Sequence, residues 1–417
     1  MKIFFSVGEP SGDLHGANLI RRLQEQAPHV QCTGFGGPRM AAAGCHLLAD
    51  LTELAIMWFL RVLLNLHRFW FYYRMAKRCF RDHRPDAVVL IDYPGFNWWI
   101  ARAAKRHQIP VFYYGVPQMW AWAPWRVRKM QRLVDHVLCK LPFEAQWFQQ
   151  RGCQATYVGH PYFDQLAEQV LDQAFVSELD RGSGPLITIL PGSRTQEVLG
   201  NLPWFLKTAG LIQRRVPEAR FAIASFNERQ AEIACRMVVD STLDAEVFVG
   251  RTAELIQASE CCLACSGSVS LELLFYTKPS LILYWTKRFG LNVATRWFIK
   301  VRFITLVNLL AARDPFLSPG QRYDQTEASA DNVPLPEYLT CDDPSRAMAD
   351  RIVQWLNDDM VYQRRRKQLL DLKRQHVDTG ASRTAAAYLL RVLHGPTTIP
   401  GPNAEPQTDP RCDRRSA

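Results

Sequence analysis

The sequence predicts an α/β protein of two doubly wound, Rossmann-like domains that face each other across a cleft. Three observations carry this. Short apolar runs rich in β-branched residues, suited to buried parallel strands, alternate with small-residue turns and amphipathic helical stretches. The alternation stops in a polar segment around 164–185 and then restarts. A length of 417 residues is enough for two ordinary domains, each with its own core. The expected limits are 1–165 and 166–394, with the last helices, about 345–394, able to pack back on the first domain. The Pro-rich polar stretch 395–417 reads as a disordered tail.

In the first domain, Ile3–Val7 leads into Gly8-Glu9-Pro10-Ser11-Gly12-Asp13 and a helix to about Gln26. Ala87–Ile91 leads into Asp92-Tyr93-Pro94-Gly95-Phe96-Asn97 and a helix to about His107. Val111–Tyr114 opens a Trp-rich loop, and Val134–Cys139 runs into Leu141-Pro142-Phe143-Glu144. The second domain repeats the pattern with Leu186–Leu190, Phe221–Ser225, Val247–Val249, Cys261–Cys265 and Ser280–Tyr284. Such sheets bind ligands at the carboxyl ends of their strands, so two of them face to face make a nucleotide-sized cleft. Arg313–Val333, dominated by Pro, Gly, Asp, Ser and Gln, reads as a loop insertion.

Residues 53–83 mix Trp, Phe, Tyr, Leu and Met with Arg61, Arg68, Arg74, Lys77, Arg78 and Arg81. The charge-free span Leu54–Leu60 is far short of the ~20 residues that a membrane crossing needs. Arg61, Asn65 and Arg68 share one helical face while Arg74, Lys77 and Arg81 lie on another, which predicts two helices with a break near Leu66-His67. Exposed aromatic groups beside Arg and Lys suit an anionic membrane surface, with Met57, Trp58, Phe59, Leu63, Phe69, Trp70 and Phe71 as contacts. A buried core helix pair fits the same pattern.

Fifty Lys plus Arg against 40 Asp plus Glu give a net charge of +10, which suits an anionic partner without choosing one. The basic residues are spread out and no nucleic-acid recognition motif appears, so no nucleic-acid partner is expected. The 11 cysteines are odd in number, and Ile3-Phe4-Phe5-Ser6-Val7 is too short for the apolar region of a secretory signal. A reducing cytoplasm is the expected compartment. Cys262 and Cys265 have C-x-x-C spacing but no partner pair, so buried structural thiols are expected and no metal or cofactor site.

The segment Leu186 to Val198 carries the first chemical signal. A buried strand ends at Pro191-Gly192, and Ser193 and Arg194 stand where a helix begins. Free N–H groups and the positive end of the helix dipole attract an anion there, Gly192 lets it approach, and Arg194 adds a cationic fork. An ordinary turn with a surface Arg reads the same way. The second junction, Cys261–Cys265 into Ser266-Gly267-Ser268-Val269-Ser270-Leu271-Glu272, repeats the arrangement. Glu272 falls two turns in, where a carboxylate accepts from vicinal ribose hydroxyls; a solvated Glu behind a capping Ser is the bland alternative. Together the two junctions form a nucleotide-diphosphate site. Neither G-x-G-x-x-G nor G-x-x-x-x-G-K-[ST] occurs, against a dehydrogenase or a P-loop NTPase. Asp92, at the end of an apolar strand, is a candidate general base, with Asp13 and His15 as competitors and helix capping as the alternative.

The motifs then converge. G-E-x-S-G-D-x-x-G-A stands as Gly8 to Ala17, G-x-G-G-P-x-M as Gly34 to Met40, I-D-x-P-x-F-N as Ile91 to Asn97 and W-A-W as Trp120 to Trp122. L-P-F-E is Leu141 to Glu144, G-H-P is Gly159 to Pro161 and L-P-G-S-R-x-x-E is Leu190 to Glu197. S-G-[ST]-x-[AS]-L-E is Ser266 to Glu272 and N-L-L-A is Asn308 to Ala311. In this order they cover most of residues 1–312, and the chain resembles the lipid-A-disaccharide synthase family, inverting glycosyltransferases of the GT-B architecture. It departs at Gly95, where the family often has Asp, at Val116-Pro117 in place of Ser-Pro, and in the long insertion before Pro336-Glu337.

The resemblance implies a condensation of UDP-2,3-diacylglucosamine with 2,3-diacylglucosamine 1-phosphate (lipid X) to the β-1,6-linked disaccharide 1-phosphate plus UDP. Asp92 would be the base. Gly192, Ser193, Arg194, Ser266, Gly267 and Ser268 would hold the diphosphate, Glu272 the ribose, and Asn308 would line the donor pocket. Glu9, Ser11, Gly12 and Asp13 would shape the acceptor side. It implies no metal and no cofactor, and a peripheral, cytoplasmic position on the inner face of the inner membrane. A UDP-sugar epimerase of similar fold and a non-catalytic UDP-binding membrane-associated protein remain the alternatives. The sequence does not fix the oligomeric state, with a homodimer as the one assembly it suggests.

Overall fold

A computed structural model describes residues 1–52, 66–241, 243–293, 299–316, 323 and 332–394. The first sheet has seven parallel strands: β1 (Lys2–Val7), β2 (Gln31–Gly36), β3 (His46–Asp50), β4 (Ala87–Ile91), β5 (Val111–Tyr114), β6 (His136–Cys139) and β7 (Ala155–Tyr157). Their order is β3-β2-β1-β4-β5-β6-β7. The second has six: β8 (Leu186–Leu190), β9 (Arg220–Ser225), β10 (Ala245–Val249), β11 (Cys261–Cys265), β12 (Ser280–Trp285) and β13 (Glu337–Thr340), in the order β10-β9-β8-β11-β12-β13. The expected strands all lie in these sheets.

Both orders reverse direction once. In the first sheet the reversal falls between β1 and β4, paired with Val7 beside Ile91; in the second it falls between β8 and β11, with Leu190 beside Ala264. At such a point the two following segments leave to opposite faces and open a crevice at the strand ends. The segments that leave there are Gly8–Asp13 and Asp92–Asn97 in one sheet, and Pro191–Arg194 and Ser266–Glu272 in the other.

The central strands are buried on both faces, which explains their continuous apolar runs. Helix α1 (Pro10–Gln26) follows β1, the short α2 (Pro38–Ala42) follows β2, α3 (Leu66–Asp82) precedes β4 and α4 (Pro94–Arg106) follows it. The first of the two helices expected in 53–83 lies outside the described residues, as do Met57, Trp58, Phe59 and Leu63. The tail 395–417 and most of the insertion lie outside them too. Cys262 and Cys265 are buried unpaired thiols, pushed up to about 11 and about 12 by burial.

The last helices, 345–394, divide between the two domains. Helix Ser345–Asn357 packs Met348, Ala349, Ile352 and Trp355 into the second domain's core beside Leu202 and Phe205. Only Ala381–His394 returns, burying Ala385, Ala386 and Leu389 among Ala17, Ile20 and Leu23 of α1. Its start is held by Asp164, whose carboxylate accepts from Ala381 N at 3.1 Å and Ser382 N at 2.9 Å.

Candidate active site

At the end of β4 the chain makes an uncommon turn. Asp92 and Tyr93 both have φ near +44°, a left-handed conformation that costs a non-glycine residue of order 1 kcal/mol or more and persists only where its surroundings enforce it. The enforcement is visible. Buried Asn97 donates through Nδ2 to the carbonyls of Ser6 (3.2 Å), Ile91 (3.2 Å) and Asp92 (2.8 Å), and its Oδ1 accepts from Ser6 Oγ at 2.7 Å. Tyr113 Oη donates to the Asp92 carbonyl at 2.6 Å. Gly8 leaves room for the Tyr93 ring, which a Cβ there would meet at 2.4 Å. The backbone of Asp92 is thus tied down from β1, α4 and β5, and its half-buried side chain is free to face the cleft.

Lys140, at the end of β6, puts Nζ 3.6 Å from Asp92 Oδ1. Burial opposes its charge, but Asp92 and Glu144 outweigh that and hold the ammonium above the ordinary lysine range. Glu144 is buried beneath it on helix α5 (Pro142–Gln149) and accepts from Trp120 Nε1 and Lys140 N, each at 3.0 Å. Sequence reasoning missed Lys140, although it directly precedes the L-P-F-E motif. Glu9 lies half-buried at the start of α1; burial and the neighbouring Asp92 raise its carboxyl, while Lys140 and Arg194 oppose. That Arg194 belongs to the second domain, so its charge reaches the acceptor side across the cleft.

Two expected acceptor-side or base residues are corrected. Asp13 does not face the cleft: its buried carboxylate accepts from Gly37 N (2.8 Å), Arg39 N (3.0 Å) and Met40 N (3.0 Å), capping α2. His15 is buried and kept neutral, lowered to about 4 by burial with the Lys140 charge adding to it. Gly12 is buried against Val7 and close to Asp92, and Ser11 is exposed.

On the donor side, Gly192 has φ +122°, and a Cβ there would meet Glu197 Cβ at 2.5 Å. Helix α6 (Thr195–Gln213) starts with Glu197 folded back on its own N-terminus. Its Oε2 accepts from Ser193 N at 3.0 Å and from Arg194 N at 3.1 Å. The expectation that the Ser193 N–H is open to a diphosphate is therefore corrected: a carboxylate already satisfies it. The Arg194 guanidinium, 63% exposed and only loosely paired with Glu197 Oε1 at 3.4 Å, remains available. Opposite it, Ser266, Gly267 and Ser268 form an open turn with Gly267 and Ser268 exposed. Ser268 caps helix α7 (Val269–Phe275) without a side-chain hydrogen bond.

Glu272 on α7 is buried and raised to about 7 by burial, with a hydrogen bond from Tyr162 holding it down. Tyr162 Oη reaches Glu272 Oε2 at 3.0 Å from helix Pro161–Glu168, which follows β7 of the first sheet. Sequence reasoning missed this residue; the adjoining G-H-P motif was its signal. Asn308 does not line an open pocket. It is fully buried, with Nδ2 donating to Leu335 O (2.6 Å) and Glu337 Oε2 (3.1 Å) and Oδ1 accepting from Leu335 N (3.0 Å). It ties helix Leu306–Ala311 to the start of β13, a structural task created where the insertion closes.

A family model described as lipid-A-disaccharide synthetase matches residues 3–352. The chain belongs to the lipid-A-disaccharide synthase family. It is 34% identical over 334 residues to the lipid-A-disaccharide synthase of Trichlorobacter lovleyi, covering 80% of this chain and 86% of that one. To the enzyme of that name from Geobacter sulfurreducens it is 30% identical over 394 residues, covering 94% and 97%. Among solved structures, an S. aureus MnaA–UDP co-structure superposes with a TM-score of 0.62 at 13% identity, covering 94% of this chain and 97% of that one. The calicheamicin glycosyltransferase CalG4 gives 0.53 at 12%, covering 95% and 99%. The architecture is GT-B. Membership makes the chain a glycosyltransferase of lipid A biosynthesis.

Among the described residues no helix is long and apolar enough to cross a membrane. Trp70 and Phe71 on α3 are 57% and 59% exposed, while Phe69 turns inward against Tyr93 and Phe96. Trp99 and Trp125 are also exposed, and Arg102 and Arg126 sit over the rings of Trp99 and Trp122.

Proposed function

We propose that this chain transfers 2,3-diacylglucosamine from UDP to the 6-hydroxyl of lipid X, with inversion, giving the disaccharide 1-phosphate and UDP. One observation supports the site assignment: the carboxylate of Asp92 stands at the strand-order reversal of the first sheet and the exposed guanidinium of Arg194 at that of the second. In the reaction Asp92 takes the proton of the acceptor hydroxyl as its oxygen bonds to the donor's anomeric carbon. The bond from that carbon to the β-phosphate oxygen breaks, and its electron pair leaves with UDP.

Charge develops on that oxygen, so a preset cation matters most there. Arg194 supplies it, with the open Ser266–Ser268 turn as the hydrogen-bonding partner. Glu272 accepts from the ribose hydroxyls. Glu9, Ser11 and Gly12 border the acceptor. Both substrates carry acyl chains, and Trp70, Phe71, Trp99 and Trp125 beside Arg and Lys supply a surface for an anionic bilayer, on the cytoplasmic face of the inner membrane.

The fold is shared with a solved UDP-N-acetylglucosamine 2-epimerase, at a TM-score of 0.61 and 13% identity, and family membership favours transfer. The test is UDP release from UDP-diacylglucosamine with and without lipid X. Release that needs lipid X and matches disaccharide formation mole for mole is expected. Consumption of the donor without acceptor, or an epimerised sugar, would overturn the reading.

A further inference from the structure

Lys140 has no part in the chemistry described so far, yet it occupies the centre of the acceptor side. It stands at the carboxyl end of β6, two strands from β4, and its side chain crosses β5 to meet Asp92. The crossing passes over Gly115, which follows β5 with φ +69°. A Cβ there would sit in ordinary contact with both Asp92 Oδ1 (3.4 Å) and Lys140 Nζ (3.5 Å), so this glycine marks where the two side chains meet. The two side chains are each about one-fifth exposed, at 21% and 19%, so the pair lines the cleft and is neither solvated nor sealed off. A pair so placed is screened less than a surface one.

The surroundings make a cation necessary. Glu9 at the start of α1 adds negative charge next to Asp92, and Glu144 beneath the pair is held by Trp120. His15 on α1 is buried and neutral, and the half-buried His160 ahead of helix Pro161–Glu168 is held well below the ordinary imidazole range by desolvation and the Lys140 charge, so neither provides a positive charge. Arg194 acts from across the cleft. Among the described residues Lys140 is the only cation within 4.0 Å of Asp92.

We propose that Lys140 is a positioning residue for sugar transfer: its ammonium pairs with the Asp92 carboxylate and keeps it aimed into the cleft, ready for the acceptor's proton. It moves no proton itself and makes no bond to either sugar. The inference rests on Asp92 as the base, and the test separates the two.

The experiment uses the full chain with UDP-diacylglucosamine and lipid X in mixed micelles. kcat and KM are measured from pH 5.5 to 9 for the wild type, Lys140→Met, Lys140→Arg and Asp92→Asn, with UDP affinity and thermal melting as controls. Without the ammonium the Asp92 side chain loses the contact that keeps it turned into the cleft, so kcat of Lys140→Met falls about 10- to 100-fold while KM changes little. Lys140→Arg, which keeps the charge, restores kcat to within about threefold of the wild type, and UDP affinity stays within about twofold in all. A Lys140→Met kcat that matches the wild type while Asp92→Asn is inactive overturns the Lys140 inference alone. Equal losses of kcat in Lys140→Met and Lys140→Arg also overturn it, because they mark a packing role. Near-normal turnover by Asp92→Asn overturns the base assignment.

Discussion

Removing one hydroxyl, in Tyr162→Phe, should change how UDP binding responds to pH. Glu272 is raised to about 7 chiefly by burial, and the Tyr162 hydrogen bond is what opposes that rise. A hydrogen bond to an ionised group is worth about 1.5–3 kcal/mol, and one pH unit corresponds to about 1.4 kcal/mol, so its loss lifts the Glu272 titration by about one to two units. If Glu272 holds the ribose as proposed, the ribose hydroxyls donate to the ionised carboxylate and affinity follows the ionised fraction. The carboxyl is protonated below its titration and ionised above it. Wild-type UDP affinity therefore rises as pH passes through about 7 and levels off beyond. In the variant the same rise comes about one to two units later, which makes UDP binding roughly 3- to 25-fold weaker at pH 7.5. Calorimetric titration with UDP at pH 6, 7, 8 and 9 measures both curves. Parallel curves, or affinity independent of pH in the wild type, would refute the ribose role of Glu272.

Three further outcomes follow from the same geometry. Glu272→Gln should lose UDP affinity yet raise the melting temperature of the ligand-free protein at pH 8. A buried carboxylate with a raised titration destabilises the fold progressively as pH climbs from about 4.5 towards and past 7, and the amide removes that cost while still accepting from Tyr162; an unchanged melting temperature contradicts this. Asn308→Ala leaves Leu335 N and O without their partner and should cost about 2–4 kcal/mol, read as a lower melting temperature; lost UDP binding with unchanged melting would return Asn308 to the donor pocket. Trp70→Ser with Phe71→Ser should weaken sedimentation with anionic vesicles at least several-fold while melting is unchanged, and unaltered sedimentation would rule out that face as the membrane contact.

The double winding was legible because central parallel strands announce themselves: Ala87–Ile91 and Leu186–Leu190 are unbroken apolar runs. The strands that escaped were β2, β3, β7 and β13. β2 holds Gly34 with φ +147°, where a Cβ would fall 2.0 Å from Phe5 O, so the close packing that makes it a strand removes the side chains that would signal one. Loop positions at the strand ends were legible by residue type, and both crevices formed where expected. The direction of each carboxylate was not. Asp13, Asp92 and Glu197 all follow strand ends, yet Asp13 caps α2, Glu197 caps its own helix and only Asp92 faces the cleft. What separates them is long-range: Asn97 and Tyr113 hold the Asp92 turn, and α2 lies 24 residues beyond Asp13 in a place no local pattern specifies. Lys140 and Tyr162 were missed for the same reason, since their partners are 48 and 110 residues away.

If Asp92 removes the acceptor's proton while the opposite domain holds UDP, one variant separates the two functions. The direct measurement is a single preparation of Asp92→Asn assayed for UDP affinity and for disaccharide formation. Isosteric replacement keeps the left-handed turn and leaves the donor loops untouched, so UDP should bind as tightly as in the wild type. Transfer should fall by about 100-fold or more, the usual contribution of a positioned general base. Turnover within a few-fold of wild type would contradict the account.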